Sequence, residues 1–310
     1  MQKTTIPYSQ TGYFSKLILD YLEEDDFLKP FYHCSPNIQS FEKAIAEKST
    51  ENIDRTKLSE TILKQYAGIE LNDTVKNNIS LFQQKNTFCI VTAHQLNIFT
   101  GPLYVIYKII STINTCKILK EKYPAYDFVP VYWLGSEDHD FAEINHFNLF
   151  GKTFTWDIEA KGATGKLNPA SILSVLDALK PVLGESENAK IIYNIFHSAY
   201  TYSSSLTEAT KKYLNALFGK YGLVIVDGDD TYFKTQCIDI ISDEIFNQSS
   251  LTVVQKINAL LSVKYQVQAN PREINLFYLN ENIRERVVFD SEKKIYAVLN
   301  TNIQFSKEEI

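Results

Sequence analysis

The 310-residue chain has few cysteines, one methionine, eleven glycines and no excess of positive charge. Each shortage excludes something. Cys34, Cys89, Cys116 and Cys237 are scattered with no CxxC pair, which argues against a disulfide framework and a zinc site and for reduced thiols in a cytoplasmic setting. Lys plus Arg total 31 against 37 Asp plus Glu, a formal net charge of −6, so the basic surface that non-specific nucleic-acid binding requires is missing. No uninterrupted apolar run approaches the about 18 residues needed to span a bilayer. The opening MQKTTIPYSQ has no apolar segment behind a charged start, so no signal peptide is expected. No P-loop, no GxGxxG, no internal repeat and no low-complexity tract occurs.

What is present is a core. The chain is 45% hydrophobic, with 19 Tyr and 19 Phe. That suffices for one large domain or two smaller ones. Residues 13–85 read as mainly helical: Phe14, Leu17, Ile18 and Tyr21 recur at helical spacing, Ser35-Pro36-Asn37 marks a turn, and amphipathic helices follow with a break near Gly68. At Thr87 the pattern changes. Residues 87–92 form a continuous apolar run, expected to be a strand buried on both faces, followed by a polar loop over 93–97. Gly101-Pro102 leads into a helix over 103–120. Residues 128–134 form a second apolar strand ending in the polar loop 135–140. A third strand, 222–226, ends in Asp227-Gly228-Asp229-Asp230. Strand, loop, helix and strand make the unit of a parallel sheet, and a doubly wound α/β sheet is expected. Ligands in such sheets bind outside the carboxyl ends of the strands. Residues 151–205 lack this rhythm and read as an insertion, with a short β segment over 156–165 and a helix over 171–183. Residues 250–305 read as a helix followed by short strands. Ser306, with Glu308 and Glu309 behind it, has the signature of a helix start.

The polar loops hold the chemistry. His94, His139 and His146 fall in or beside them, and Glu137-Asp138-His139-Asp140, with Glu143, is the densest titratable cluster in the chain. It offers a general base, an orienting carboxylate and metal ligands. The plain alternative is acidic capping of a helix beginning near Phe141. His94-Gln95 follows the first strand and faces the start of a helix, where amides bind anions. Lys108 can reach an anion or lie solvated on its helix. Asp227 and Asp230 can bind a ribose, an amine or a metal, or simply make a turn. Arg272, Arg284 and Arg286 can bind a carboxylate or phosphate bidentately or, the reading favoured, form surface ion pairs, and Cys89 and Cys116 read as core.

Two long segments, VTAHQLNIFTGPLYVIYKI (91–109) and VPVYWLGSEDHDFAEINH (129–146), resemble the signature stretches of the bacillithiol-biosynthesis cysteine-adding enzymes. IPYSQTGYFSKLILDYL (6–22), GLVIVDGDD (222–230) and NPREINLFYL (270–279) are similar to further segments of that family, so the match spans nearly the whole chain. The family more often has TGQQ where this chain has Thr92-Ala93-His94-Gln95.

The resemblance implies a nucleotidyltransferase-like Rossmann core with a parallel sheet, amino-terminal helices and connective-peptide insertions. The organisation it suggests is a helical segment (1–85), the first half of the core (86–150), a connective-peptide insertion (151–210), the second part of the core (211–248) and a mixed appendage (249–310) ahead of a coiled-coil region. It implies a cytoplasmic ligase joining cysteine to glucosaminyl malate, a homodimer at full length, and ATP or another nucleotide as activator, with no membrane or nucleic-acid partner. His139 is the expected base, with Asp138 and Asp140 beside it and His94 toward the developing oxyanion. Gln95, Thr100, Gly101, Pro102, Tyr104, Lys108, Trp133, Glu137, Asn145, His146, Asp227 and Asp230 are the expected substrate or nucleotide contacts. Two other readings stand open: a metal-dependent hydrolase built on 137–140, and a non-catalytic remnant that binds a nucleotide or metabolite.

Overall fold

Three parallel strands, β1 (Thr87–Gln95), β2 (Asp127–Gly135) and β5 (Val224–Asp227), lie in the order β1-β2-β5 in a computed structural model that describes residues 4–310. The three apolar runs thus share one parallel sheet, as expected. β2 is the central strand and is buried almost throughout, which its composition requires. Pro130 stands one residue before the β5 ladder begins at Val131, where a missing N–H is tolerated. β1 is an edge strand rather than one buried on both faces. Its residues alternate, leaving Cys89, Val91 and Ala93 exposed, so Cys89 is not a core thiol, whereas Cys116 is. β1 also runs on to Gln95, through the expected loop. Among the described residues the sheet has three strands in one direction of progression and is not doubly wound.

Between β1 and β2 runs the Leu103–Lys122 helix. Val105, Ile109, Thr112, Ile113, Cys116 and Leu119 form its buried stripe, packed on both strands. Lys120 and Lys122 favour its negative end, and Pro124 lies just beyond. Between β2 and β5 come a hairpin, β3 (His146–Leu149) with β4 (Lys152–Thr155), and helices Ile172–Leu183, Glu187–Thr201 and Leu206–Phe218. The β segment expected at 156–165 is absent; that stretch is coil and a 3₁₀ turn, Thr164–Lys166, while the β structure lies just before it. The helices Arg55–Lys64 and Asp73–Leu81 complete this unit's core with Ile62, Val75 and Ile79.

The chain divides into two compact units, residues 52–238 with 277–285, and residues 4–51 with 239–276 and 286–310. The first carries the parallel sheet. In the second, Leu28, Leu261 and Tyr265 form a small core, and strands pair from Val287↔Val298 to Asp290↔Ile295. At 306–310 a turn stands where a helix start was expected; Glu309 accepts the Ser306 N–H at 2.8 Å, half of a capping box. Among the described residues no helix is long and apolar enough to cross a membrane.

Candidate active site

The ladder brings the strand ends level. His94 pairs with Leu134, Gln95 with Gly135, and Leu134 with Asp227. The loops that follow therefore meet along one edge, in two clusters.

The first lies between β1 and β2. Gln95 Nε2 donates to Asp138 Oδ2 at 2.9 Å and to Glu143 Oε2 at 2.7 Å. Asp138 Oδ1 accepts from the backbone N–H groups of His139 and Asp140. Burial opposes the charge on Asp138, but the Gln95 amide, these two N–H groups and the Arg284 charge outweigh it and hold its carboxyl below the usual range. Asp140 caps the short Phe141–Ile144 helix by accepting the Glu143 N–H, so the plain reading holds for this residue.

His94 Nε2 lies 2.8 Å from the Tyr104 hydroxyl, and its Nδ1 lies 2.9 Å from the side-chain nitrogen of Asn97. Burial and the charge of Lys108 depress the imidazole's pKa, so the ring tends to neutrality. The backbone turns sharply beyond it. Phe99 and Thr100 have φ of 50° and 71°, and Gly101 has φ 61°, ψ −141°. Packing enforces this strain: Leu96, Ile98 and Phe99 are buried, and the Phe99 N–H donates to the Tyr200 hydroxyl. Pro102 then takes the cap position of the long helix rather than its first turn.

A cleft of about 540 Å³ opens here, bounded by His94, Gln95, Asn97, 101–104, Glu143 and 146–148. His146 lines it and contacts Asn145 through Nδ1. His139 is not among the residues that bound it. His139 lies instead against Phe277 and Arg284, with Arg284 Nη1 2.5 Å from its Nδ1. A guanidinium has only donors, so Nδ1 is the acceptor in this contact. His139, the expected base, thus has its Nδ1 engaged by Arg284. Arg284 also stacks on Phe277, 4.1 Å from the ring centroid, and lies 3.9 Å from Asp138. Its ion pair with Asp138 is therefore largely buried rather than on the surface. Lys108 turns back to donate to the Ala93 carbonyl of the edge strand.

The second cluster lies between β2 and β5. The buried Ser136 hydroxyl donates to Asp227 Oδ1. Gln65 brackets the Asp227 backbone, accepting its N–H at 2.8 Å and donating to its carbonyl at 3.0 Å, and reaches Asp230 Oδ2 at 3.3 Å. Lys211 is buried 3.8 Å from Asp227 Oδ2; desolvation lowers its pKa, and Asp227 and Asp230 oppose that shift. Trp133 stands half-exposed with its indole against Gly228. Glu137 has one carboxylate oxygen buried without a hydrogen-bond partner.

Of the expected site residues, His94, Gln95, Gly101, Pro102, Tyr104 and His146 border the cleft, and Asp138 joins it through Gln95. Gln65, Asn97, Ser136 and Lys211 were not singled out from the sequence; Asn97 and Ser136 lie inside the two long family-like segments, whereas Gln65 and Lys211 stand in no motif. Among the described residues no three of His, Cys, Asp or Glu converge as a metal cage, which does not support the hydrolase reading. The residues of the cleft do not fit a nucleotide's phosphates either: Lys108 is turned away and Glu143 faces the same space as His94.

The family model described as "Bacillithiol biosynthesis BshC, N-terminal Rossmann-like domain" matches residues 1–310. The chain belongs to this family. It is similar, over its entire length, to proteins named "Putative cysteine ligase BshC": 48% identical to that of Flavobacterium johnsoniae and 47% to that of Flavobacterium psychrophilum, covering 58% of each. The relative from Christiangramia forsetii is 44% identical, with 59% of it covered. The chain therefore spans a little over half the length of these BshC relatives.

Proposed function

We propose that this BshC domain carries the site at which cysteine is joined to glucosaminyl malate through an amide bond, the closing step of bacillithiol formation. The observation that supports it best is one cleft holding an uncharged histidine paired with a tyrosine on one wall and a glutamate carboxylate on the other. Amide formation needs both. The attacking amine must lose a proton, and the acyl oxygen gains negative charge as the carbon is attacked.

Glu143 is the base in this reading. Gln95 engages only its Oε2, and its backbone is fixed through Asp140. His94, Tyr104 and the positive end of the Leu103–Lys122 helix meet the developing oxyanion. Asp138 stays ionised and orients Gln95. The cysteine carboxyl arrives as an activated acyl group; as the C–N bond forms, Glu143 takes the amine proton and the activating group departs from the acyl carbon. The cytoplasmic setting and the homodimer of the full-length protein belong to the same reading.

The test uses full-length protein, with bacillithiol formation and thermal unfolding measured together. Glu143→Gln should lower turnover by roughly 10²–10⁴-fold with the fold intact. Unchanged turnover in Glu143→Gln with collapse in His139→Asn returns the base to His139. No product from the unaltered protein ends the ligase reading.

A further inference from the structure

Asn97 is 5% exposed, and its surroundings leave its side chain little freedom. Its backbone carbonyl accepts the Tyr213 hydroxyl at 3.0 Å, and Gly101 closes on its side chain so tightly that a Cβ there would lie 2.6 Å from Asn97 Cγ. The side-chain nitrogen lies 3.3 Å from the Gln95 carbonyl oxygen as well as 2.9 Å from His94 Nδ1.

We propose that Asn97 is the positioning residue that fixes His94 as its Nε2–H tautomer and so makes His94 and Tyr104 a hydrogen-bond donor pair rather than a proton acceptor. A carbonyl oxygen only accepts, so the Asn97 group facing Gln95 is the NH₂ and not the amide oxygen. That NH₂ also donates to Nδ1, which must therefore offer its lone pair. The ring proton sits on Nε2, 2.8 Å from the Tyr104 oxygen, which accepts it. The Tyr104 proton is then free to be donated into the cleft that Tyr104 lines. The Gln95 carbonyl, 3.4 Å from Nδ1, already accepts the Asn97 backbone N–H at 3.0 Å and faces the Asn97 side-chain nitrogen, so it does not require a protonated Nδ1.

The charged and titratable groups around the ring are Lys108 and Tyr104 of the long helix, Glu143 beyond β2 and His146 of β3. Glu143 favours imidazolium and Lys108 opposes it, so the uncharged amide of Asn97 decides which nitrogen holds the proton. The chemical consequence rests on the ligase reading: a neutral donor pair stabilises an acyl oxyanion without surrendering a proton to it. The tautomer does not rest on that reading.

The experiment is long-range ¹H–¹⁵N correlation of the imidazoles in the ¹⁵N-labelled chain, with His94 assigned by the signals lost in His94→Gln. At pH 7 the wild-type ring should show a protonated Nε2 and a bare Nδ1. Asn97→Asp is nearly isosteric, but its carboxylate only accepts. It should move the proton to Nδ1 and raise the His94 pKa by ~1–3 units. A wild-type ring protonated on Nδ1, or doubly protonated, overturns the proposal, and so does an Asn97→Asp protein with tautomer and titration unchanged. Should that variant fail to fold, the wild-type spectrum decides alone. A correct tautomer in a protein that makes no bacillithiol would retire the ligase reading and leave this one standing.

Discussion

The side-chain nitrogen of Gln95 lies 2.7 Å from Oε2 of Glu143 and, by the same nitrogen, 2.9 Å from Oδ2 of Asp138. One uncharged amide thus keeps two carboxylates at hydrogen-bonding distance from a shared point. Gln95→Glu would put a third carboxylate there. At pH 7 this should cost ~1–2 kcal/mol in a urea titration, since the pair is partly solvent-screened. The deficit should shrink near pH 4, where a protonated glutamate donates again. Equal deficits at both pH values would show that charge is not the cause.

Asp20, in the second compact unit, should govern part of the acid limb of stability. Lys16 at 2.5 Å is the main cause, with the Tyr265 hydroxyl and Lys264 adding to it, and burial opposing; the pKa falls from 3.8 to about 2. A depressed carboxylate contributes stability that is present above its unfolded pKa and lost as pH falls through the folded one. The loss should therefore fall between about pH 4 and pH 2. Asp20→Asn should be less stable than wild type at pH 6 and converge with it near pH 2, followed by circular dichroism. Parallel curves across that range would remove Asp20 from the acid response.

Gly101→Ala should damage the site more than the fold. Its φ of 61° with ψ of −141° is open essentially to glycine, and the new methyl would meet the Asn97 side chain. A stability loss of ~1–3 kcal/mol is expected from such backbone strain. Loss of the His94–Tyr104 geometry should accompany it, read as a change in the His94 ring signals. Wild-type ring signals in a destabilised protein would confine the effect to the backbone.

Gly228→Ala should displace Trp133. A Cβ there would lie 2.6 Å from Trp133 Cε2, and the ring is free to swing outward because it is half-exposed. Trp156 is buried with its indole N–H on Ser171, so a red-shifted emission component would come from Trp133. The shift should disappear in Trp133→Phe. An unchanged spectrum in Gly228→Ala would mean that the backbone at Gly228 yields instead.

Much of this was legible in the chain. The three strands, the long helix and the grouping of His94 with Asp138 follow from apolar runs that end in polar clusters. The errors have physical causes. β1 was expected to stop at Thr92 because its apolar run stops there, yet backbone pairing continues to Gln95 with polar side chains. An apolar run also does not reveal whether a strand is central or at an edge, so Cys89 was misplaced. Arg284 reaches His139 from 145 positions away, and Gln65 reaches Asp227 from 162, and no local pattern encodes such pairings.

Those separations bear on how the protein comes into being. The Ile225 N–H is bound by the Tyr66 hydroxyl 159 residues earlier, and Asp227 completes the edge on which both clusters stand. Contacts of this span carry their entropic cost before they are rewarded, so they form late. A chain still on the ribosome, with β1 and β2 made but β5 not, has the histidines and carboxylates of the site without the frame that gives them a geometry. The Ser136–Asp227 cluster in particular is completed only when β5 joins the sheet.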